Sequence, residues 1–575
     1  MNFLKNFFGL AIVIVFSFWA VKHLFIPGFF PIHDNTQVAR VFEMGNALKD
    51  GMFPVRWVQD LGYGYGYPIF NFYAPLAYYI GGFFNLMGFD PLAATKIMTG
   101  LSIMLSGIFM YLLAREFWGE LGGAISGLFY LYAPYHALDI YVRGDVAEFW
   151  AYAFLPLVFY GLWKVYREQK WKFVIISSLG YAGLILSHNL TAMMVTPFIV
   201  IILLMSFFYA VNKRKFSIFN FQFSIFVLGL LLSAFYWIPA LFEMHYTNVF
   251  SQIGQGADFR NHFVCIQQLW DSPWGFGGSV SGCVDGLSFK IGKLHVIAVF
   301  FAICLVGLLL LFREKSKNLF PIKIVVLSIL GFFLSVFFSL EISKPVWEAV
   351  SFMAFFQYPW RFLLLVSFFS SFLAGCFSWY LQKTLQKNSY VKTIQYIATA
   401  VLLFFLFYSN IRLFSPQTIL SKPALDYTSN FALRWTMSKI SDEYMPKDFL
   451  KPQSETEIVN NKIAVGNTGL KINGYKEKTQ KITAYIDVSE NTRFNIALAY
   501  FPGWKVFVDN NPSLLHITKK GFFVFLPKGK HEISIIFEQT PIEKIANTLS
   551  VIGVLVLIVG IIYTNKKRFS HNTYI

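Results

Sequence analysis

Apolar stretches of about 20 residues recur along nearly the whole chain, separated by short polar segments. Each is long enough to cross roughly 30 Å of hydrocarbon as a helix. The first, Phe7 to Phe25, has only Lys5 as a positive flank, and no small-residue cleavage pattern follows in IPGFFPIHD. It therefore reads as a retained span rather than a signal peptide. Further stretches fall at 69–91, 94–115, 121–138, 147–166, 172–188, 190–211, 219–243, 292–312, 320–340, 360–381, 392–409 and 546–564. Near the C-terminus the period changes. In KITAYIDV, RFNIALAYF, WKVFVD, GFFVFLP and HEISIIFE, polar and apolar residues alternate at strand length between Gly, Pro and Asn-Asn turns. That period-2 pattern predicts an antiparallel β-sandwich within 414–543.

Composition agrees with a membrane protein. Of 575 residues 56% are hydrophobic, 14% are charged and 67 are Phe, whereas a soluble domain carries roughly 25% charged residues. The net charge of +17 does not point to nucleic acid, because the basic residues sit in short clusters between apolar stretches. These clusters are Arg115, Lys164/Arg167/Lys170/Lys172, Lys213/Arg214/Lys215, Arg313/Lys315/Lys317/Lys323, Lys383/Lys387/Lys392 and Lys566/Lys567/Arg568. If all face the cytoplasm, two spans must separate each neighbouring pair, and downstream of Arg115 every gap holds two. Between Lys5 and Arg115 there are three. The middle one, 69–91, contains a Pro, two adjacent glycines and several tyrosines, and follows Gly-Tyr-Gly-Tyr-Gly-Tyr-Pro. Irregular backbone at membrane depth is tolerated only against protein or a water-filled cavity, and Tyr prefers the interface. Residues 69–91 are therefore expected to be re-entrant or interfacial.

The result is a polytopic α-helical membrane protein of twelve spans with both termini cytoplasmic. A membrane domain 1–413 has a first outer loop 26–93. An extracytoplasmic β-sandwich 414–543 and a final span with a basic tail, 544–575, follow. A thirteen-span chain of other parity is the alternative. Of the four cysteines, Cys304 and Cys376 lie inside apolar stretches and are expected in core packing. Cys265 and Cys283 share an outer loop where oxidation is permitted, and whether they are bonded stays open at this level.

Candidate chemistry gathers on the outer side. His33 and Asp34 directly follow the first span. A helix from about Thr36 to Leu48 would place Val38, Val41, Phe42 and Leu48 near one face and Arg40 and Glu43 on another, as in a helix lying on the membrane surface. Asp34 is then either a general base at the mouth of a cavity open to lipid, or the cap of that helix. In YVRGDVAEFWAY, Arg143, Asp145 and Glu148 occupy one outer turn, and two carboxylates there are costly unless paired, hydrated or metal-bound. They either help hold a divalent cation, or Arg143 pairs with one of them. His188, beside Asn189, stands at another outer turn, with a structural or a site role. Arg361 is the last cation before the tenth span, suited to phosphate or to snorkelling. Asp442-Glu443-Tyr444 is expected to be a solvated acidic turn. There is no Gly-Lys-Ser/Thr phosphate loop, no Cys/His set with zinc spacing and no Gly-x-Ser-x-Gly elbow.

With these residues in place, the chain resembles the C superfamily (GT-C type) of membrane glycosyltransferases, in which an acidic residue stands in a long first outer loop. Phe30-Pro31-Ile32-His33-Asp34 occupies that place, and Asp145 that of the second acidic motif. The likeness is greater to bacterial membrane proteins called 6-pyruvoyl-tetrahydropterin-synthase-related, and to the YfhO-like group. It is carried by Gly51-Met52-Phe53-Pro54-Val55-Arg56-Trp57, Gly62 to Pro68, Val142-Arg143-Gly144-Asp145 with Glu148, Ser187-His188-Asn189 and Tyr358-Pro359-Trp360-Arg361. Tyr500 to Val506 and Leu526 to His531 resemble the terminal β-domain of the YfhO group. No zinc-binding histidine cluster is present, so the pterin label implies no pterin chemistry.

The resemblance implies transfer of a sugar from a polyprenyl-phosphate donor to a cell-envelope glycan or lipid acceptor, at the outer face of a bacterial inner membrane. Asp34 would be the catalytic base, Arg361 and Arg143 would neutralise the leaving phosphate, and His33, Asp145, Glu148 and His188 would line the site. Asp145 and Glu148 are the ligands for Mg²⁺ or Mn²⁺, should the enzyme use one. His-Asp in place of two acidic residues weakens the case for a metal in the first loop. Two rivals stand: a transporter or flippase of a lipid-linked glycan, which the near absence of mid-span charges disfavours, and a non-catalytic envelope protein whose β-domain binds glycan.

Overall fold

A computed structural model describes residues 7–311, 320–384, 391–463, 467 and 470–572. Lys5 and, of the basic clusters, Arg313, Lys315, Lys317 and Lys387 lie outside the described residues. In chain order the principal helices are α1 (Phe8–Val21), α2 (Gln37–Lys49), α3 (Ile69–Phe72), α4 (Leu76–Leu86), α5 (Pro91–Leu131), α6 (Val146–Glu168), α7 (Trp171–Ser187), α8 (Asn189–Lys213), α9 (Ser217–Phe242), α10 (Lys293–Leu311), α11 (Phe320–Ser339), α12 (Leu363–Ala374), α13 (Cys376–Thr384), α14 (Val391–Asn410) and α15 (Pro541–Asn572).

Among the described residues ten helices are long and apolar enough to cross a membrane, and α7 is a shorter apolar one. One of the ten, α5, holds two predicted spans. It breaks at Gly119, whose φ of 73° and ψ of −173° no L-residue takes without strain. Its arms fold back on each other, with Gly127 against the Gly107 carbonyl, and Arg115 pairs with Glu120 at 2.5 Å across the bend. Small residues let the backbones approach this closely, a common device in membrane bundles. Counting the two arms of α5 separately and adding α7 gives twelve apolar helical segments among the described residues.

The 69–91 segment does not cross. It consists of α3 and α4, broken at Tyr73 to Pro75, and the 11 residues of α4 rise only about 16 Å. The predicted surface helix is α2, but it does not lie on a surface. Its apolar residues Val38 and Val41 are buried, and so are Arg40 and Glu43 on the other face. Arg40 donates to the Tyr78 and Ser441 hydroxyls, and Glu43 accepts from the Asp60 backbone N–H. The polar face of α2 is thus covered by the rest of the first loop and by the segment after α14, so its amphipathic pattern marks two protein interfaces.

Helix polarity separates two ends of the bundle. Asp145 precedes α6, and Lys164 near its far end pairs with Glu116 and Glu168. The 23 residues of α6 put these ends roughly 34 Å apart. In the same way His188 precedes α8 and Lys213 ends it.

The strands begin at Leu470. One antiparallel sheet has the order β1 (Leu470–Lys478), β2 (Lys481–Val488), β8 (Gly529–Phe537), β4 (Trp504–Val508) and β5 (Asn511–Ser513). The other has the order β3 (Thr492–Ile496), β7 (Gly521–Leu526) and β6 (His516–Thr518). The five alternating stretches become β2, β3, β4, β7 and β8, with Ile482, Ile486, Phe494, Val506, Val524, Ile533 and Ile535 buried between them. Residues 414–463, expected inside the sandwich, instead form turns and short helices that run past the first outer loop.

Buried polar contacts fasten the first outer loop to the ends of two bundle helices. Arg56 donates to Asn71 at 2.6 Å and to Asn547 at 2.9 Å, and its Nε lies 3.5 Å from Glu543. Asn71 donates to Glu243, which also accepts from Thr540. First loop, α9 and the start of α15 are thereby joined. Cys265 and Cys283 are bonded, with Cα atoms 5.5 Å apart. Cys376 is buried, but Cys304 is exposed on α10, contrary to its expected core position.

Candidate active site

The site is assembled from four connections at one end of the bundle. After Leu131 the chain turns through Pro134–Leu138 and a wide π-turn, Asp139–Arg143, and leaves it at Gly144 with φ of 66°. A Cβ at Gly144 would collide with Ile32, so glycine is required where the first loop passes. That loop pairs by backbone with the turn: His33 N–H donates to the Val142 carbonyl at 3.1 Å and Asp34 N–H to that of Arg143 at 3.0 Å. Asp34 is therefore fixed beside Arg143 by main-chain contacts.

Asp145 caps α6, its Oδ1 accepting from the Glu148 backbone N–H at 3.1 Å. The spacing of three turns both carboxylates to one side, as expected. Arg143 does not pair with one of them at the surface. It is buried and bridges three carboxylates, at 2.5 Å from Asp139, 2.7 Å from Asp145 and 2.8 Å from Glu148. Arg361 enters from the turn before α12, with its guanidinium 3.7 Å from Asp145 and 3.4 Å from Glu148. It also donates to the Phe356 carbonyl and to Gln357. It is buried rather than snorkelling. His188, held by Thr191 at 2.7 Å, completes the group: ligand atoms of Asp145, Glu148 and His188 lie within 4.8 Å of one another.

Asp34 is half-buried, and among the described residues its carboxylate takes no hydrogen bond. It does not cap α2, because Thr36 holds the N-cap position and no side chain caps there. Burial, and then the Asp145 charge, raise its carboxyl to about 6, against the pull of Arg143, Arg40 and Arg361. Asp145 is held the other way. Burial opposes its ionisation, but Arg143, His188 and Arg361 keep its carboxyl down at about 2. Divergent environments of this kind separate a proton-accepting carboxylate from one that stays ionised.

His33 is exposed at the rim, its Nε2 3.1 Å from the Phe276 carbonyl in the disulfide-closed loop. All seven expected residues thus meet at one end. Asp442-Glu443-Tyr444 is not a solvated turn: Asp442 accepts from Tyr63 and Lys451, Glu443 from Ser441, and Tyr444 stacks on Phe72. Asp139, Tyr135 and Trp360 were not foreseen. Tyr135 donates to Glu148, and the Trp360 ring lies 4.6 Å from the Arg143 guanidinium. The available signal was three acidic residues within five positions of one arginine.

Residues 70–267 match the model of the 6-pyruvoyl-tetrahydropterin synthase related domain, described as a membrane protein. An uncharacterized protein of Lactococcus lactis subsp. cremoris is 26% identical over 248 residues, which are 42% of this chain and 40% of that protein. The chain thus matches less than half the length of this curated relative. Among solved structures, the Archaeoglobus fulgidus oligosaccharyltransferase tethered with an acceptor peptide gives a TM-score of 0.46 at 12% identity, covering 80% of this chain and 61% of that one. ArnT from Cupriavidus metallidurans bound to undecaprenyl phosphate gives a TM-score of 0.37 at 13% identity, covering 76% of each chain. Over residues 70–267, which carry Arg143, Asp145, Glu148 and His188, this multi-pass membrane protein is similar to the 6-pyruvoyl-tetrahydropterin synthase related domain.

Proposed function

We propose that the protein is a GT-C type glycosyltransferase that moves a sugar from a polyprenyl-phosphate donor to an envelope glycan or lipid acceptor. The observation that carries this reading is the juxtaposition of a poised carboxylate, Asp34, with two buried arginines at the end of a membrane bundle. In the reaction the acceptor O–H gives its proton to Asp34, the acceptor oxygen bonds to the anomeric carbon, and the bond from that carbon to the phosphate oxygen breaks with its electron pair. Arg143 and Arg361 are placed to take up the charge on the leaving phosphate, Arg361 by a bidentate fork. Their carboxylate partners, Asp145 and Glu148, hold both guanidinium groups in place.

Asp145, Glu148 and His188 are the residues that would hold a divalent cation. Two carboxylates with one imidazole suit Mn²⁺ better than Mg²⁺, which prefers all-oxygen sets. When bound, the ion would supply Lewis-acid stabilisation of a phosphate oxygen. The bacterial inner membrane is the expected location. The disulfide and the basic far end of the helices favour an extracytoplasmic site. Asp34→Asn in purified protein, given a labelled lipid-linked donor and envelope acceptor, tests the reading: transfer is expected to fall, and full activity would remove Asp34 from the mechanism.

A further inference from the structure

The 18-residue separation closed by Cys265 and Cys283 lies against the site from outside, and its contacts fall on both sides of the mouth. On one side the Phe276 carbonyl meets His33, next to Asp34. On the other, Ser279 Oγ accepts from the Trp360 indole N–H at 3.2 Å, next to Arg361. Ser279 is itself anchored by His262 Nδ1 at 2.8 Å, and His262 packs edge-on to Tyr358. Tyr358 stacks on Trp360 with centroids 5.0 Å apart, and Trp360 covers the Arg143 guanidinium at 4.6 Å. A continuous chain of hydrogen bonds and ring contacts therefore runs from the stapled loop to the arginine at the centre of the carboxylate cluster.

The planar Arg143 cation bridges three carboxylates at its edge, and the desolvated Trp360 ring packs over it at 4.6 Å, adding a cation–π restraint to theirs. Trp360 is 2% exposed, and its only route to a fixed ring angle through a hydrogen bond is the loop serine among the described residues.

We infer that the disulfide-closed loop is a positioning element, acting through Ser279 and Trp360 to fix the Arg143 guanidinium in the phosphate-facing site. Trp360 and Ser279 touch no reacting atom in this scheme. The phosphate role of Arg143 rests on the proposed transfer reaction, but its immobilisation does not.

Two readouts keep these apart. In the full chain in detergent, modification of Arg143 by phenylglyoxal is followed by peptide mass spectrometry. Slow modification is expected with the disulfide intact. About fivefold or faster modification is expected after reduction, and in Ser279→Ala, which leaves the disulfide in place, as the ring cover is loosened. Trp360→Phe, which keeps a ring but has no N–H, should match Ser279→Ala. In the transfer assay the same changes should raise KM for the lipid-phosphate donor more than they lower kcat, with the acceptor KM unmoved. Unchanged Arg143 modification in both reduced protein and Ser279→Ala would overturn the inference. If modification changes but no variant or wild-type protein transfers sugar, the inference stands and the proposed reaction fails.

Discussion

Asp34 and Asp145 are chemically identical side chains in opposite surroundings, one with its carboxyl raised to about 6 and the other held near 2. A base must be ionised, so Asp34 accepts protons above about pH 6 and fails below it. The acidic limb of kcat/KM is therefore predicted to fall near pH 6, and a limb near 4, the ordinary carboxylate value, would show that another group titrates. Arg143 makes a separate prediction. Replacing it by Ala leaves Asp139, Asp145 and Glu148 buried without their shared partner, a loss of about 3–5 kcal/mol for an uncompensated buried charge. Thermal unfolding in detergent should show a large drop, whereas Asp34→Asn, whose carboxylate has no such partner, should melt close to wild type.

These residues were readable individually but not as a group. Arg143, Asp145 and Glu148 were legible because they fall within six positions, and charge beside an apolar span is costly enough to stand out. Asp139 carries the same cost, but it stands at the edge of the outer turn, directly after the apolar stretch 121–138 and apart from the Arg143–Glu148 group. Trp360 was invisible as a functional group, since one indole among many aromatics carries no signal until the loop that orients it is known.

Among elements, the re-entrant segment and the helix pairs followed from period and charge, because both reflect transfer from water to hydrocarbon. The fate of α2 did not. An amphipathic pattern records that two faces differ, and a buried Arg40 with hydroxyl partners satisfies it as well as water does. Likewise residues 414–463 have no strand period, and were drawn into the sandwich only by adjacency. They close over the Gly-Tyr-Gly-Tyr-Gly-Tyr-Pro turn, in which Gly62, Gly64 and Gly66 all have positive φ. At Gly66 a Cβ would run into the Trp57 indole, which itself packs on Trp504 of the sheet domain at 5.2 Å. Gly66→Ala is predicted to destabilise by about 1–3 kcal/mol from overpacking, with added backbone strain, and to increase protease cleavage in 414–463. Unaltered cleavage would show that this turn does not hold the segment.

For the whole molecule, the two ends of the bundle have different chemistry: acidic and arginine-rich at the site, lysine-rich at the far ends of α6 and α8. That asymmetry predicts sidedness. Single cysteines at Asn35 and Arg214, in a background without exposed Cys304, should label from opposite faces of intact spheroplasts, the former from outside. Labelling of both from one face would reject the twelve-span topology. The most direct test of the reaction remains the Asp34→Asn protein with a labelled polyprenyl-phosphate sugar. Transfer should fall by about 100-fold or more, as for loss of a general base, while donor binding persists. Transfer at the wild-type rate would contradict the mechanism.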